Sequence, residues 1–111
     1  MKALILAAGL GTRLREYTQT KPKALVEVNG KAMLELAIEY LITYGIKEIF
    51  VNIHHFGDQI IDFLESKNFF NCRIRISDER DRLLNTGGAI KKVLKDLREG
   101  ENLLVCLLYT S

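Results

Sequence analysis

The spacing of apolar residues changes repeatedly along the chain, and each change marks an element. Lys2–Ala7, "KALILA", is a short unbroken apolar run, the form expected of a strand covered on both faces. Residues 8–22 carry glycines, threonines and the single proline, Pro22, and read as a loop. Ala24–Val28 predicts a brief extended piece closed by the turn pair Asn29–Gly30. From Lys31 to Tyr44, Leu34, Ala37, Ile38 and Leu41 recur at helical spacing. Met33, Tyr40 and Tyr44 fit the packing of that helix, and Gly45 is its C-terminal stop. Lys47–Ile53, "KEIFVNI", is a β-branched strand, and a second helix beginning near Gly57–Asp58 sets Ile60, Ile61 and Leu64 on one face. Cys72–Ile76, "CRIRI", alternates, which predicts a strand with one wetter face nearer the sheet edge. A third helix starts around Thr86 and packs Ile90, Val93, Leu94 and Leu97; Asn102–Leu108 is the fourth main strand.

Strands alternating with helices predict an α/β fold, a Rossmann-like three-layer sandwich around a mostly parallel sheet with right-handed crossovers. Ligands of such sheets bind outside the carboxyl ends of the strands, where the first loop lies.

Composition narrows the class. A chain of 111 residues is one domain's worth, and 48% hydrophobic with 27% charged is ordinary for a soluble globular protein. A net charge of +2, with no basic block interleaved with aromatics, argues against nucleic-acid and membrane-surface partners. "MKALILAAG" imitates a signal peptide, but the apolar run Ala3–Ala8 is short for a signal core and Arg13 and Arg15 follow at once. No stretch approaches the roughly 18 apolar residues of a membrane span, so the expected location is cytoplasmic. Cys72 and Cys106 lack metal-type spacing and predict buried, reduced thiols.

The first loop carries the chemistry. Gly9–Leu10–Gly11–Thr12–Arg13 combines permissive backbone, a hydroxyl donor and a planar guanidinium. Inward-pointing amides in such a turn form an anion-binding concavity, so the stretch can cradle a polyphosphate. A dinucleotide fingerprint would need a third glycine where Leu14 stands, and a P-loop would need Gly-Lys-Ser/Thr; neither is present.

"LAAGLGTRL" followed by "TKPKALVEVNGKAML" and later by "LLNTGGAIKK" resembles the sugar-1-phosphate nucleotidylyltransferase family. Asn52–Ile60 and Thr86–Gly88 extend the likeness toward its mannose-1-phosphate guanylyltransferase and N-acetylmuramate-1-phosphate uridylyltransferase branch. The resemblance covers residues 1 to about 106 and implies the N-terminal half of a nucleotide-diphospho-sugar transferase fold. It implies attack by a sugar 1-phosphate on the α-phosphorus of a nucleoside triphosphate, yielding an NDP-sugar and pyrophosphate. Leu6, Ala7, Ala8 and Gly9 would form the floor under base and ribose. Gly11, Thr12 and Arg13 would hold the triphosphate, with Arg13 stabilising charge on departing pyrophosphate. Lys23, aimed by Pro22, would sit over the reacting phosphates, whereas Lys21 stays a surface residue. Thr86, Gly87 and Gly88, opening a helix, would contact base and ribose, with Thr86 also able to cap the helix. Asn85 stands where related sequences often carry an acid, which leaves GTP, UTP and CTP open.

Other residues receive blander readings. His54–His55 diverge at a strand end with no third ligand evident, so packing or exposure is expected and no metal is assigned to them. Asp78–Glu79–Arg80–Asp81–Arg82 has mixed signs and predicts a solvated loop. The family pattern breaks at the fourth strand, where an aspartate that holds Mg²⁺ against the phosphates is expected. "ENLLVC" leads into "LLYTS", and no carboxylate occurs after Glu101. The expectation is a nucleotide-binding part over residues 1–106, an atypical tail over 107–111, and a piece of a longer, Mg²⁺-dependent enzyme that turns over little alone. Two rivals are a non-catalytic nucleotide-sensing module of the same fold and a dehydrogenase-like dinucleotide domain. The sequence carries no signal of oligomeric state.

Overall fold

The computed structural model describes residues 1–7, 23–54, 56–79, 86–98 and 100–107. Strand β1 spans Lys2–Leu6, β4 Glu48–Ile53, β5 Arg73–Asp78 and β6 Leu103–Leu107, joined side by side in the order β5-β4-β1-β6. All three pairings are parallel. A two-stranded hairpin, β2 (Glu27–Val28) and β3 (Lys31–Ala32), precedes helix α1 (Met33–Thr43). Helices α2 (Gly57–Ser66) and α3 (Thr86–Leu94) complete the described elements, with 3-10 turns at Lys23–Leu25 and Asn68–Asn71.

The strand order sets the layers. From β1 the chain steps outward to β4 and β5, then returns to place β6 on the other side of β1. Right-handed crossovers put helices on opposite faces when the direction of strand addition reverses. Accordingly, Leu34, Ile38 and Leu41 of α1 and Ile60 and Leu64 of α2 pack with Ala3, Ile5, Ile49, Val51 and Ile53. On the opposite face Val93 of α3 packs with Leu4 and Phe50, flanked by Leu6, Ile90 and Leu103. The unbroken apolar run of β1 is thereby explained: alternate side chains feed two cores, and the predicted three-layer sandwich is what forms.

Local chemistry accounts for the element ends. Asn29 at φ 55° and Gly30 at φ 85° make the two-residue reversal between β2 and β3, the left-handed geometry that an Asn-Gly pair favours. The tight hairpin demands a strand residue on each side. For that reason the expected extended piece contracts to Glu27–Val28 behind a 3-10 turn, and α1 starts at Met33 rather than Lys31. Gly45, at φ 81°, ends α1 as predicted, donating its N–H to Ile42 O at 2.9 Å while Ile46 N–H reaches Leu41 O at 3.1 Å. β5 lies at a sheet edge with Arg73 and Arg75 exposed, matching its predicted wetter face.

Three packing expectations are corrected. Leu94 is 50% exposed and Leu97 lies beyond the helix, because nine residues of α3 bring mainly Ala89 and Val93, one turn apart, into the core. Tyr40 and Tyr44 are exposed, with their rings tilted at 48° to each other and their centroids 4.8 Å apart. Cys72 and Cys106 are free, as predicted, but only half-buried. Burial still pushes both thiols up, and Cys72 Sγ donates to Lys47 O at 3.1 Å.

The amino edge of the sheet is tied by charge. Lys2 Nζ lies 2.9 Å from Glu48 Oε2 and 3.4 Å from Glu101 Oε1, while Arg73 Nε approaches Glu48 Oε1 at 3.6 Å. The network thus spans β1, β4, β5 and the entry to β6. Glu48 beside it raises the Lys2 ammonium above its ordinary value. The Arg98 backbone N–H, 2.7 Å from Glu101 Oε1, and then Lys2, lower the Glu101 carboxyl.

Leu34→Ala, at a fully buried position, is expected to cost about 2–5 kcal/mol in urea unfolding, against less than about 1 kcal/mol for exposed Leu36→Ala on the same helix. A raised ammonium stabilises the fold below its unfolded pKa and loses that contribution as pH rises through the folded value. A lowered carboxyl stabilises above its unfolded pKa and loses it as pH falls through the folded value. The urea midpoint should therefore fall at pH below 4.5 and above 10.5, and Lys2→Met should make both limbs shallower.

Candidate functional site

Topology brings three chain segments to the carboxyl edge of the sheet. β1 ends there at Leu6–Ala7, immediately before residue 8. α3 runs back from the carboxyl end of β5 toward the start of β6, so its first residues, Thr86–Gly88, open at the same edge. α1 likewise starts at this edge, and Met33 N–H donates to Val26 O at 3.0 Å, holding the preceding 3-10 turn beside it. Ala24 and Val26 of that segment are buried in the core, so the backbone of Lys23 is pinned next to buried packing. The edge lies where the sheet reverses direction, between β1 and β6, the position at which open α/β sheets form a ligand crevice.

Of the sequence-predicted residues, Leu6 is half-buried at the last position of β1 and Ala7 is buried. Lys23 begins the 3-10 turn, and Thr86, Gly87 and Gly88 form the first turn of α3, with Gly87 exposed. Ala8, Gly9, Gly11, Thr12 and Arg13 lie outside the described residues, as do Lys21, Pro22, His55, Arg80–Arg82 and Asn85. The edge thus unites the first strand's exit, the Lys23 turn and the amino end of α3, and a helix amino end suits a phosphate or a base edge.

Polar bonds that the residue types alone did not single out hold this edge. Ala7 N–H donates to Asn52 Oδ1 at 2.5 Å, with Asn52 3% exposed. Glu79 N–H donates to Ile53 O at 2.8 Å, and His54 Nδ1 sits 2.6 Å from Glu79 O. A carbonyl only accepts, so the Nδ1 of His54 is the protonated nitrogen. Lys92 Nζ donates to Asp78 O at 2.6 Å. Asn52 had a legible signal, an amide inside the apolar run "IFVNI", where a buried polar side chain requires a partner.

The expected solvated loop is corrected at Glu79, which is 2% exposed because its backbone is bonded to β4 on both sides, through Ile53 O and His54. Asp78 is exposed at the end of β5. No group of three His, Cys, Asp or Glu able to hold a metal occurs among the described residues. The described stretch of β6, Leu103–Leu107, carries no carboxylate, so this strand supplies no ligand for a carboxylate-bound Mg²⁺. No helix among the described residues is long and apolar enough to cross a membrane.

A parallel sheet that reverses direction beside β1, with helices on both faces and the amino end of α3 at its carboxyl edge, defines an α/β protein of the nucleotide-diphospho-sugar transferase type. The Nucleotidyl transferase family model matches residues 2–109, and the chain belongs to that family. It is 45% identical over 100 residues to N-acetylmuramate alpha-1-phosphate uridylyltransferase of Caulobacter vibrioides, covering 88% of this chain and 41% of that protein. It is 39% identical over 95 residues to D-glycero-alpha-D-manno-heptose 1-phosphate guanylyltransferase of Campylobacter jejuni, covering 86% of this chain and 42% of that protein. The crystal structure of HddC from Yersinia pseudotuberculosis complexed with GMP-PN superposes with a TM-score of 0.82 at 35% identity, over 96% of this chain and 46% of that one. The chain therefore spans about two-fifths of the length of these curated relatives.

Nitrogen-detected NMR at neutral pH should show the His54 ring protonated at Nδ1, the tautomer less common in free histidine. A signal from the Nε2–H tautomer would contradict the bond to Glu79 O.

Proposed function

We propose that this chain supplies the nucleotide-binding part, over residues 1–106, of a sugar-1-phosphate nucleotidylyltransferase. What supports the reading is the convergence of the β1 exit, the Lys23 turn and the amino end of α3 on one sheet edge, with "GLGTR" following β1 in the sequence. The substrates are a nucleoside triphosphate and a sugar 1-phosphate, and the setting is cytoplasmic.

In this reading Leu6, Ala7, Ala8 and Gly9 floor the nucleoside, and the amides around Gly11 with the hydroxyl of Thr12 bind the triphosphate. A sugar 1-phosphate oxygen forms a bond to the α-phosphorus while the bond from that phosphorus to the bridging oxygen breaks, releasing pyrophosphate. The guanidinium of Arg13 takes up charge on the departing oxygens. Lys23 acts on the phosphates as a point charge. Thr86, Gly87 and Gly88 contact base and ribose from the start of α3. Little covalent chemistry is asked of the protein; alignment and charge neutralisation carry the rate. Mg²⁺, which the family resemblance implies, would supply further neutralisation of phosphate charge.

Titration calorimetry with UTP, GTP and CTP on the 111-residue chain should show binding of at least one of them. Arg13→Ala should weaken that binding about 10- to 100-fold, the loss of charge-assisted bonds to phosphate worth roughly 1.5–3 kcal/mol. Equal heats and affinities in wild type and Arg13→Ala would refute the assignment.

A further inference from the structure

We propose that Asn52 is a positioning residue for triphosphate binding: its side-chain carbonyl fixes the backbone from which the glycine loop departs. The inference rests on the nucleotide reading of that loop and adds to it a residue outside the loop.

β1 and β4 pair through Ala3↔Ile49, Leu4↔Phe50 and Ile5↔Val51. On the other side the β1–β6 ladder runs further, to Leu6↔Leu107. Two residues past the last β4 partner, the Ala7 amide is met by a side chain instead of a strand backbone. Asn52 Oδ1 accepts the Ala7 N–H at 2.5 Å across 45 residues of sequence. Asn52 is 3% exposed in a strand whose other residues are Glu48 at its start and then Ile49, Phe50, Val51 and Ile53. A buried amide in that setting costs stability unless it is bonded. An apolar residue there would suit the strand and strand the Ala7 N–H.

The next polar residue of the same strand exit works in the opposite direction. His54 holds Glu79 O at 2.6 Å, so the end of β4 ties the exits of both its neighbours, β1 through Asn52 and β5 through His54. Backbone amides bind a polyphosphate well only when they are already aimed, and displacements near 1 Å at such a site are costly. The bond to Ala7 sets the direction of the chain one residue before Ala8 and Gly9. Asn52 acts on the ligand through that backbone and does not touch it.

The test uses the whole chain, with inorganic tripolyphosphate as the probe so that base choice plays no part. Asn52→Leu removes the acceptor at similar volume, and Asn52→Asp keeps one. If the Leu variant does not fold by circular dichroism, Asn52→Ala carries the same expectation. Amide hydrogen exchange at Ala7 should be slow in wild type and Asn52→Asp and at least tenfold faster in Asn52→Leu. Tripolyphosphate affinity, measured by amide chemical-shift titration on folded protein, should fall about tenfold in Asn52→Leu, the effect expected of one lost hydrogen bond. Unchanged affinity in the folded Leu variant overturns this inference alone, and so does fast Ala7 exchange in Asn52→Asp. Absence of tripolyphosphate binding by wild type overturns the nucleotide reading and takes this inference with it.

Discussion

The position of β1 between β4 and β6 governs the rest of the molecule. Because the chain builds outward on one side of β1 and returns to build on the other, and because crossovers keep one hand, helices must lie on both faces. That puts α1 and α2 against Ala3 and Ile5 and α3 against Leu4, so β1 has no solvent face. It also opens the crevice at the carboxyl end of β1, since the crossovers on its two sides diverge there. Fold and site location follow from the same reversal.

The two edges of the sheet are held by different forces. At the amino edge, side-chain charges converge: Glu48 sits among Lys2, Arg73 and Arg75. These partly exposed pairs are individually weak, and their common partner is what joins adjacent strands. At the carboxyl edge the described ties are hydrogen bonds that involve backbone: Ala7 N–H to Asn52 Oδ1, Glu79 N–H to Ile53 O, His54 Nδ1–H to Glu79 O and Lys92 Nζ to Asp78 O. Backbone ties of this kind set the direction in which the chain leaves each strand.

What the letters show of this edge differs by residue, for physical reasons. Glycine, threonine and arginine in close succession after a strand are the residue types of an anion cradle and lie outside the described residues, whereas Thr86–Gly88 opens a helix as its residue types predict. Asn52 was visible only as an amide in an apolar run; its partner, 45 residues away, was not. Glu79 was misread because a run of mixed charges is usually solvated, whereas its backbone is captured by β4 on two sides and drawn under cover. Tyr40 and Tyr44 were misread because helical spacing shows that two rings share a face and does not say whether that face meets the sheet.

By itself the sequence determined the alternation of strand and helix, the Asn29–Gly30 reversal, the stop at Gly45 and the family of the chain. These depend on local backbone preference, on periodicity, or on short motifs whose chemistry is carried by neighbours in the chain. Tertiary structure alone decided that β6 lies beside β1, that Leu94 faces solvent while Val93 does not, and that Asn52 meets Ala7. Those outcomes depend on which surfaces are buried against which, a property of contacts between distant segments that no local pattern encodes.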